Sequence, residues 1–121
     1  MALQGVVPML QARSLRETIE FYTTTLGFEC RDLWPNEGEP GWCRLERDGA
    51  ALMFYEDPES DERPEMTGVV YFYPEDVDSL WAELESKTRV EVPLQAMGYG
   101  MREFRIFDCN GYVLAFGQSV S

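Results

Sequence analysis

The sequence contains no histidine and only three cysteines, and its 10 basic residues are outnumbered by 22 acidic ones. Each shortage excludes something. Without histidine, a Ser or Cys nucleophile lacks its commonest base, and a divalent ion lacks its commonest nitrogen ligand. Cys30, Cys43 and Cys109 are odd in number and show no CxxC spacing, which fits neither a disulfide framework nor a zinc pattern. They read as reduced thiols. A formal charge of −12 repels nucleic acid, whose phosphates require clustered Lys and Arg. The same charge would attract a cationic ligand, or simply keep the protein in solution. No apolar run is long enough to cross a bilayer, and Met1 to Gly5 carry neither a basic start nor a long apolar stretch. The expectation is a cytoplasmic protein with no membrane or nucleic-acid partner.

What is present suffices for one folded domain: 121 residues, 45% of them hydrophobic. Val6 to Leu10 reads as a strand meeting Pro8 near an edge. Ser14 opens a helix, with Glu17 completing a capping box, and Leu15, Ile19, Tyr22 and Leu26 form one apolar stripe. Gly27 follows where a left-handed cap is wanted. Strands are expected over Phe28 to Trp34, Trp42 to Glu46 and Ala50 to Tyr55, the last two joined at Asp48-Gly49. The order then repeats. Val69 to Tyr73 is a strand, and Asp76 caps a helix whose stripe is Val77, Leu80, Trp81 and Leu84. Strands follow around Val90 to Val92, Phe104 to Phe107 and Tyr112 to Phe116, the last two joined by Asn110-Gly111.

One offset superposes the halves: Gly49 falls on Gly111, Leu52 on Leu114, Phe54 on Phe116, Val7 on Val69 and Leu15 on Val77. Two tandem βαβββ modules of an α+β fold explain this order. They are assigned to residues 1–56 and 66–121, with an acidic, Pro-bearing surface linker at 57–65 between them.

Several segments resemble the vicinal oxygen chelate superfamily of glyoxalases, bleomycin resistance proteins and dioxygenases. They are Val7-Pro8-Met9-Leu10, Phe21-Tyr22, Leu26-Gly27-Phe28, Val77-Asp78, Gly100-Met101-Arg102-Glu103-Phe104 and Asp108-Cys109-Asn110-Gly111-Tyr112. The family usually has Pro after that Asp, where this chain has Cys109. Metal-dependent members carry four His or Glu ligands. Matched onto this chain, those positions fall on Val7, Met53, Val69 and Ala115. Alkyl and thioether groups do not replace imidazole or carboxylate around a hard or borderline ion. The resemblance therefore points to the metal-free bleomycin resistance branch, whose members are acidic, pair as homodimers and hold a cationic drug without transforming it.

Side-chain alternation supplies candidate binding residues. If Leu52, Phe54, Leu114 and Phe116 pack under the helices, then Met53, Tyr55, Val113 and Ala115 face the other way. Val7, Met9, Val69, Tyr71, Tyr73, Glu103 and Arg105 join them, as do Trp42 and Arg44. A ligand site lined by Trp42, Met53, Tyr55, Tyr71, Tyr73, Glu103 and Arg105 is expected, with aromatic faces for stacking and a methionine that adapts. The bland alternative is that these side chains fill the interior or a dimer seam. Trp34, before the Gly- and Pro-bearing loop to Gly41, reads either as a lid contact or as a loop anchor. No catalytic set is visible. Cys109 has no base beside it, and carboxylates such as Glu46 and Glu103 read by default as surface charge.

The leading expectation is a non-enzymatic homodimer that sequesters a bulky cationic or aromatic small molecule, such as a bleomycin-like or other peptide antibiotic, without cofactor or metal. The alternatives are an enzyme of the same fold using carboxylates or an atypical metal site, and a non-catalytic partner domain with a closed groove.

Overall fold

Both helices start on the side chains that the sequence offers as caps. In the computed structural model, which describes residues 1–120, Ser14 Oγ accepts from the Glu17 N–H at 3.2 Å and Asp76 Oδ1 from the Ser79 N–H at 3.1 Å. Helix α1 spans Leu15–Glu20 and continues as a wider π turn over Phe21–Thr25; α2 spans Val77–Leu84. The π turn ends at Leu26, and Gly27 takes the expected left-handed conformation at φ 73°. Leu15, Thr18, Tyr22 and Leu26 are buried, whereas Ile19 is only half-buried. Thr18 tolerates burial because its hydroxyl donates to the Ser14 carbonyl at 2.8 Å.

Eight strands form two four-stranded sheets. The first comprises β1 Met9–Gln11, β2 Glu29–Trp34, β3 Trp42–Arg47 and β4 Ala50–Tyr55, in the order β1-β4-β3-β2. The second comprises β5 Val69–Phe72, β6 Arg89–Ala96, β7 Met101–Phe107 and β8 Val113–Ser119, in the order β5-β8-β7-β6. In each sheet the first strand pairs in parallel with the last, and the other pairings are antiparallel. This is the βαβββ order, twice. The chain divides into two compact units, one running from Met1 to Pro64 and the other beginning at Glu65.

The repeat extends to individual contacts. Met9 faces Met53 and Leu10 faces Phe54; the same positions 62 residues on (Met9 to Tyr71, Met53 to Ala115) pair Tyr71 with Ala115 and Phe72 with Phe116. The Leu15 N–H donates to Glu56 Oε1 at 2.6 Å, and at the same offset the Val77 N–H donates to Gln118 Oε1 at 2.9 Å. Each helix therefore has a second acceptor at its N-terminus, supplied by the residue just past β4 or at the end of β8.

The two hairpins differ by one residue. Arg47 pairs with Ala50 around Asp48-Gly49, with Asp48 at φ 55°. The second hairpin is not closed by Asn110-Gly111 alone. The Asp108 N–H donates to the Tyr112 carbonyl at 2.8 Å, leaving Cys109-Asn110-Gly111 as a three-residue loop with Gly111 at φ 87°. The extra residue shifts the β7 alignment by one, so Arg105 faces Ala115 as Arg44 faces Met53. Other boundaries also move. β1 begins at Met9 rather than Val6, while Pro8, which has no N–H, still accepts from the Met53 N–H at 2.9 Å. β6 runs well past Val92 because it is an edge strand whose register breaks around Pro93.

Beneath α1, Tyr22 lies 5.1 Å from Phe54, centroid to centroid, among fully buried Cys43, Leu45 and Leu52. Beneath α2, Trp81 and Phe104 are 5.1 Å apart, and Phe104 stacks on Phe116 at 5.0 Å. Asp108 holds the second hairpin: its Oδ1 accepts from the N–H groups of Asn110 and Tyr112, each at 2.8 Å, from a buried position. Asp108→Ala should cost about 1–3 kcal/mol, since two buried donors lose their acceptor. Urea unfolding measures this, and a variant within about 0.5 kcal/mol of the parent would contradict this role for the carboxylate.

Candidate ligand-binding site

In each unit, the strand residues that avoid the helix share the opposite sheet face. In the first unit that face carries Trp42 opposite Tyr55, and Arg44 opposite Met53, which in turn faces Met9. Trp42 and Met53 are half-buried and Tyr55 is exposed at its strand end. In the second unit it carries Tyr71, Ala115, Glu103 and Arg105, with Tyr73 just past β5 and its ring 5.0 Å from that of Tyr71. Tyr73 is strongly exposed, Tyr71 and Arg105 are half-buried, and Glu103 is completely buried. Of the seven sequence candidates, Trp42, Met53 and Tyr55 therefore lie together on one sheet, and Tyr71, Tyr73, Glu103 and Arg105 on the other.

Glu103 organises the second face. Tyr71 and Tyr99 each donate their hydroxyl to its Oε1 at 2.6 Å, and Arg105 Nε donates to its Oε2 at 2.8 Å. Burial, the largest single influence, pushes this carboxyl up; the three hydrogen bonds and the Arg105 charge together outweigh it and hold the group below the usual carboxylate range. With its folded value depressed, the carboxylate stabilises the fold above the ordinary range, and that contribution is lost as pH falls through the folded value. Burial first, and then the bond to Glu103, raise the Tyr71 phenol; the bond to Glu103 raises Tyr99 and Arg105. All three donors therefore keep their protons near neutral pH. Arg44 and Glu46 form the matching pair on the first sheet at 2.7 Å. On both faces the arginine is thus paired with a carboxylate two residues away, which leaves the aromatic rings as the unpaired chemistry of each face.

Sequence reasoning missed Tyr99 and Gly117. Tyr99 lies in the loop between β6 and β7, flanked by Gly98 and Gly100, the latter at φ 80°. An aromatic between two glycines, four residues before an inward-facing Glu, was the available signal. Gly117 leaves room for Tyr71: a Cβ there would overlap the Tyr71 hydroxyl and the ring carbon that bears it. Only a residue without a side chain lets Tyr71 reach Glu103. Among the cysteines, Cys43 is buried and its thiol is pushed up to about 12, mainly by burial, which removes it as a nucleophile. Cys30 is half-buried and Cys109 is exposed in the hairpin turn.

The positions that match the family's metal ligands do not fit a divalent ion. Val7, Met53, Val69 and Ala115 present alkyl carbons and one thioether, and Ala115 is fully buried. Among the described residues no group of three or more His, Cys, Asp or Glu side chains could hold a metal. Glu103, the buried carboxylate of the second face, is already engaged by three donors.

Gly117→Ala should cost about 1–3 kcal/mol by overpacking against Tyr71. In a Tyr71→Ala background the same change should cost far less, and a double-mutant cycle by chemical denaturation reads the coupling. Additive effects would show that Gly117 is not there to admit Tyr71.

Solved structures share this fold across nearly the whole chain. TioX from Micromonospora sp. ML1 superposes with a TM-score of 0.78 at 18% identity, covering 96% of this chain and 99% of that one. A protein of unknown function from Agrobacterium tumefaciens str. C58 gives 0.79 at 20% identity, covering 99% and 97%. A glyoxalase/bleomycin resistance protein/dioxygenase from Nocardioides gives 0.77 at 18% identity, covering 100% and 87%. No curated protein matches the sequence. The family model described as Glyoxalase/Bleomycin resistance protein/Dioxygenase superfamily matches residues 6–116, which with the duplicated βαβββ sheets makes the chain a member of that superfamily.

Proposed function

We propose that the protein binds and sequesters a bulky, aromatic-bearing, cationic small molecule, in the manner of a drug-binding resistance protein, and does not transform it. The observation that supports this most directly is the replacement of metal-binding chemistry by stacking chemistry. Where metal-dependent relatives place His or Glu, this chain has Val7 and Met53 in the first unit, which also carries Trp42 and Tyr55, and Val69 and Ala115 in the second, which also carries Tyr71 and Tyr73. Aromatic faces attract cations and planar rings. Because Arg44 and Arg105 are each paired with a carboxylate, neither arginine offers a free positive charge to repel such a ligand. The net charge of −12 would steer the cation inward. Two copies pairing, so that faces from different chains close on the ligand, complete the proposal. The solved structures named above share the fold only and leave the ligand open. A cytoplasmic setting, where a resistance protein would meet such a drug, is part of the same reading.

A tryptophan-fluorescence titration with cationic glycopeptide and planar peptide antibiotics, bleomycin included, tests it. Saturable quenching at one ligand per chain is expected, abolished in part by Trp42→Phe, with the ligand recovered unmodified. A folded protein that responds to none of them would overturn the antibiotic reading, and recovery of a chemically altered ligand would favour an enzyme of this fold.

A further inference from the structure

The ladder of the first sheet sets three aromatic side chains in a row. Trp34, the last residue of β2, is paired directly with Trp42 on β3, and Trp42 directly with Tyr55 on β4. Directly opposed residues project from the same face, here the one away from α1. Strand spacing of about 4.8 Å makes the row roughly 10 Å long, the length of three fused rings. Trp34 is no floppy loop residue: its carbonyl accepts from the Gly41 N–H at 2.8 Å, which closes the following loop, yet 67% of the residue is exposed. An exposed tryptophan on a fixed backbone, continuous with two candidate site residues, marks a surface meant to be covered. Its surroundings are acidic. Asp32 lies on the same strand and Glu37 and Glu39 in the loop; the basic residues there, Arg31 and Arg16, are paired with Glu29 and Glu39. Arg44, in the next row, is held by Glu46.

We infer that Trp34, Trp42 and Tyr55 form one stacking platform, and that it selects planar, multi-ring aromatic cations over compact single-ring ones. This rests on the binding reading above and deepens it, making Trp34 a specificity-determining residue at the outer end. Calorimetric titration with proflavine (three fused rings, cationic) and benzyltrimethylammonium (one ring) tests it on the parent, Trp34→Ala and Trp34→Phe. The parent should prefer proflavine. Trp34→Ala should weaken proflavine about tenfold and leave the single-ring cation within twofold, while Trp34→Phe retains most of the affinity. Unchanged circular dichroism and melting would show each variant folded. Proflavine binding within twofold of the parent in Trp34→Ala overturns the platform and leaves the binding reading standing. A parent that does not bind proflavine also overturns the platform, and the antibiotic titration then decides the binding reading separately.

Discussion

A sheet has two faces, and each module of this protein supplies one helix. That constraint governs the rest. One face of each sheet gives its apolar residues to the helix: Cys43, Leu45, Leu52 and Phe54 in the first unit, Phe104, Ile106, Leu114 and Phe116 in the second. Strand alternation then commits the intervening residues to the other face, to which the module supplies no second helix. What stands there is not the uniformly polar set of a solvated sheet. On the first sheet it is aromatic and sulfur-bearing, and on the second it is aromatic around a buried carboxylate.

That carboxylate shows how the face is kept in order. A buried charge without partners costs several kcal/mol, so Glu103 persists only because two hydroxyls and a guanidinium converge on it. Their convergence in turn needs Gly117 to carry no side chain and the β6–β7 loop to bring Tyr99 back over the strand. The network orients Tyr71, and Tyr71 lies against Tyr73. Positioning of the Tyr71 and Tyr99 rings thus follows from satisfying one acid. Superfamily membership by itself sets none of this chemistry, since one fold hosts several.

Much of the fold is legible in the sequence because its signals are local. Ser14 and Asp76 cap, Gly27 terminates, Asp48-Gly49 turns, and the shared offset between halves reveals the duplication. The errors have equally local causes. β1 starts late because Val6 and Val7 precede its ladder and Pro8, having no N–H, adds only a carbonyl, and the second hairpin is longer than its Asn-Gly pair suggests because Asp108 closes the turn with its own carboxylate. Ile19 gives way to Thr18 because the hydroxyl finds the Ser14 carbonyl. At the site, alternation assigns the faces of Trp42, Met53, Tyr55, Tyr71, Glu103 and Arg105. Alternation is blind to partners, however. It does not show that Glu103 and Arg105 neutralise each other, and it gives no weight to Tyr99, a loop residue whose role depends on folding back four positions.

The central proposal is that these faces bind a ligand by stacking and charge without a metal. Quantitative metal analysis of the protein purified without chelators, by inductively coupled plasma mass spectrometry after dialysis, tests that most directly. The account predicts far less than one divalent ion per chain. One tightly held ion per chain would contradict it, because Val7, Met53, Val69 and Ala115 supply no ligand for such an ion.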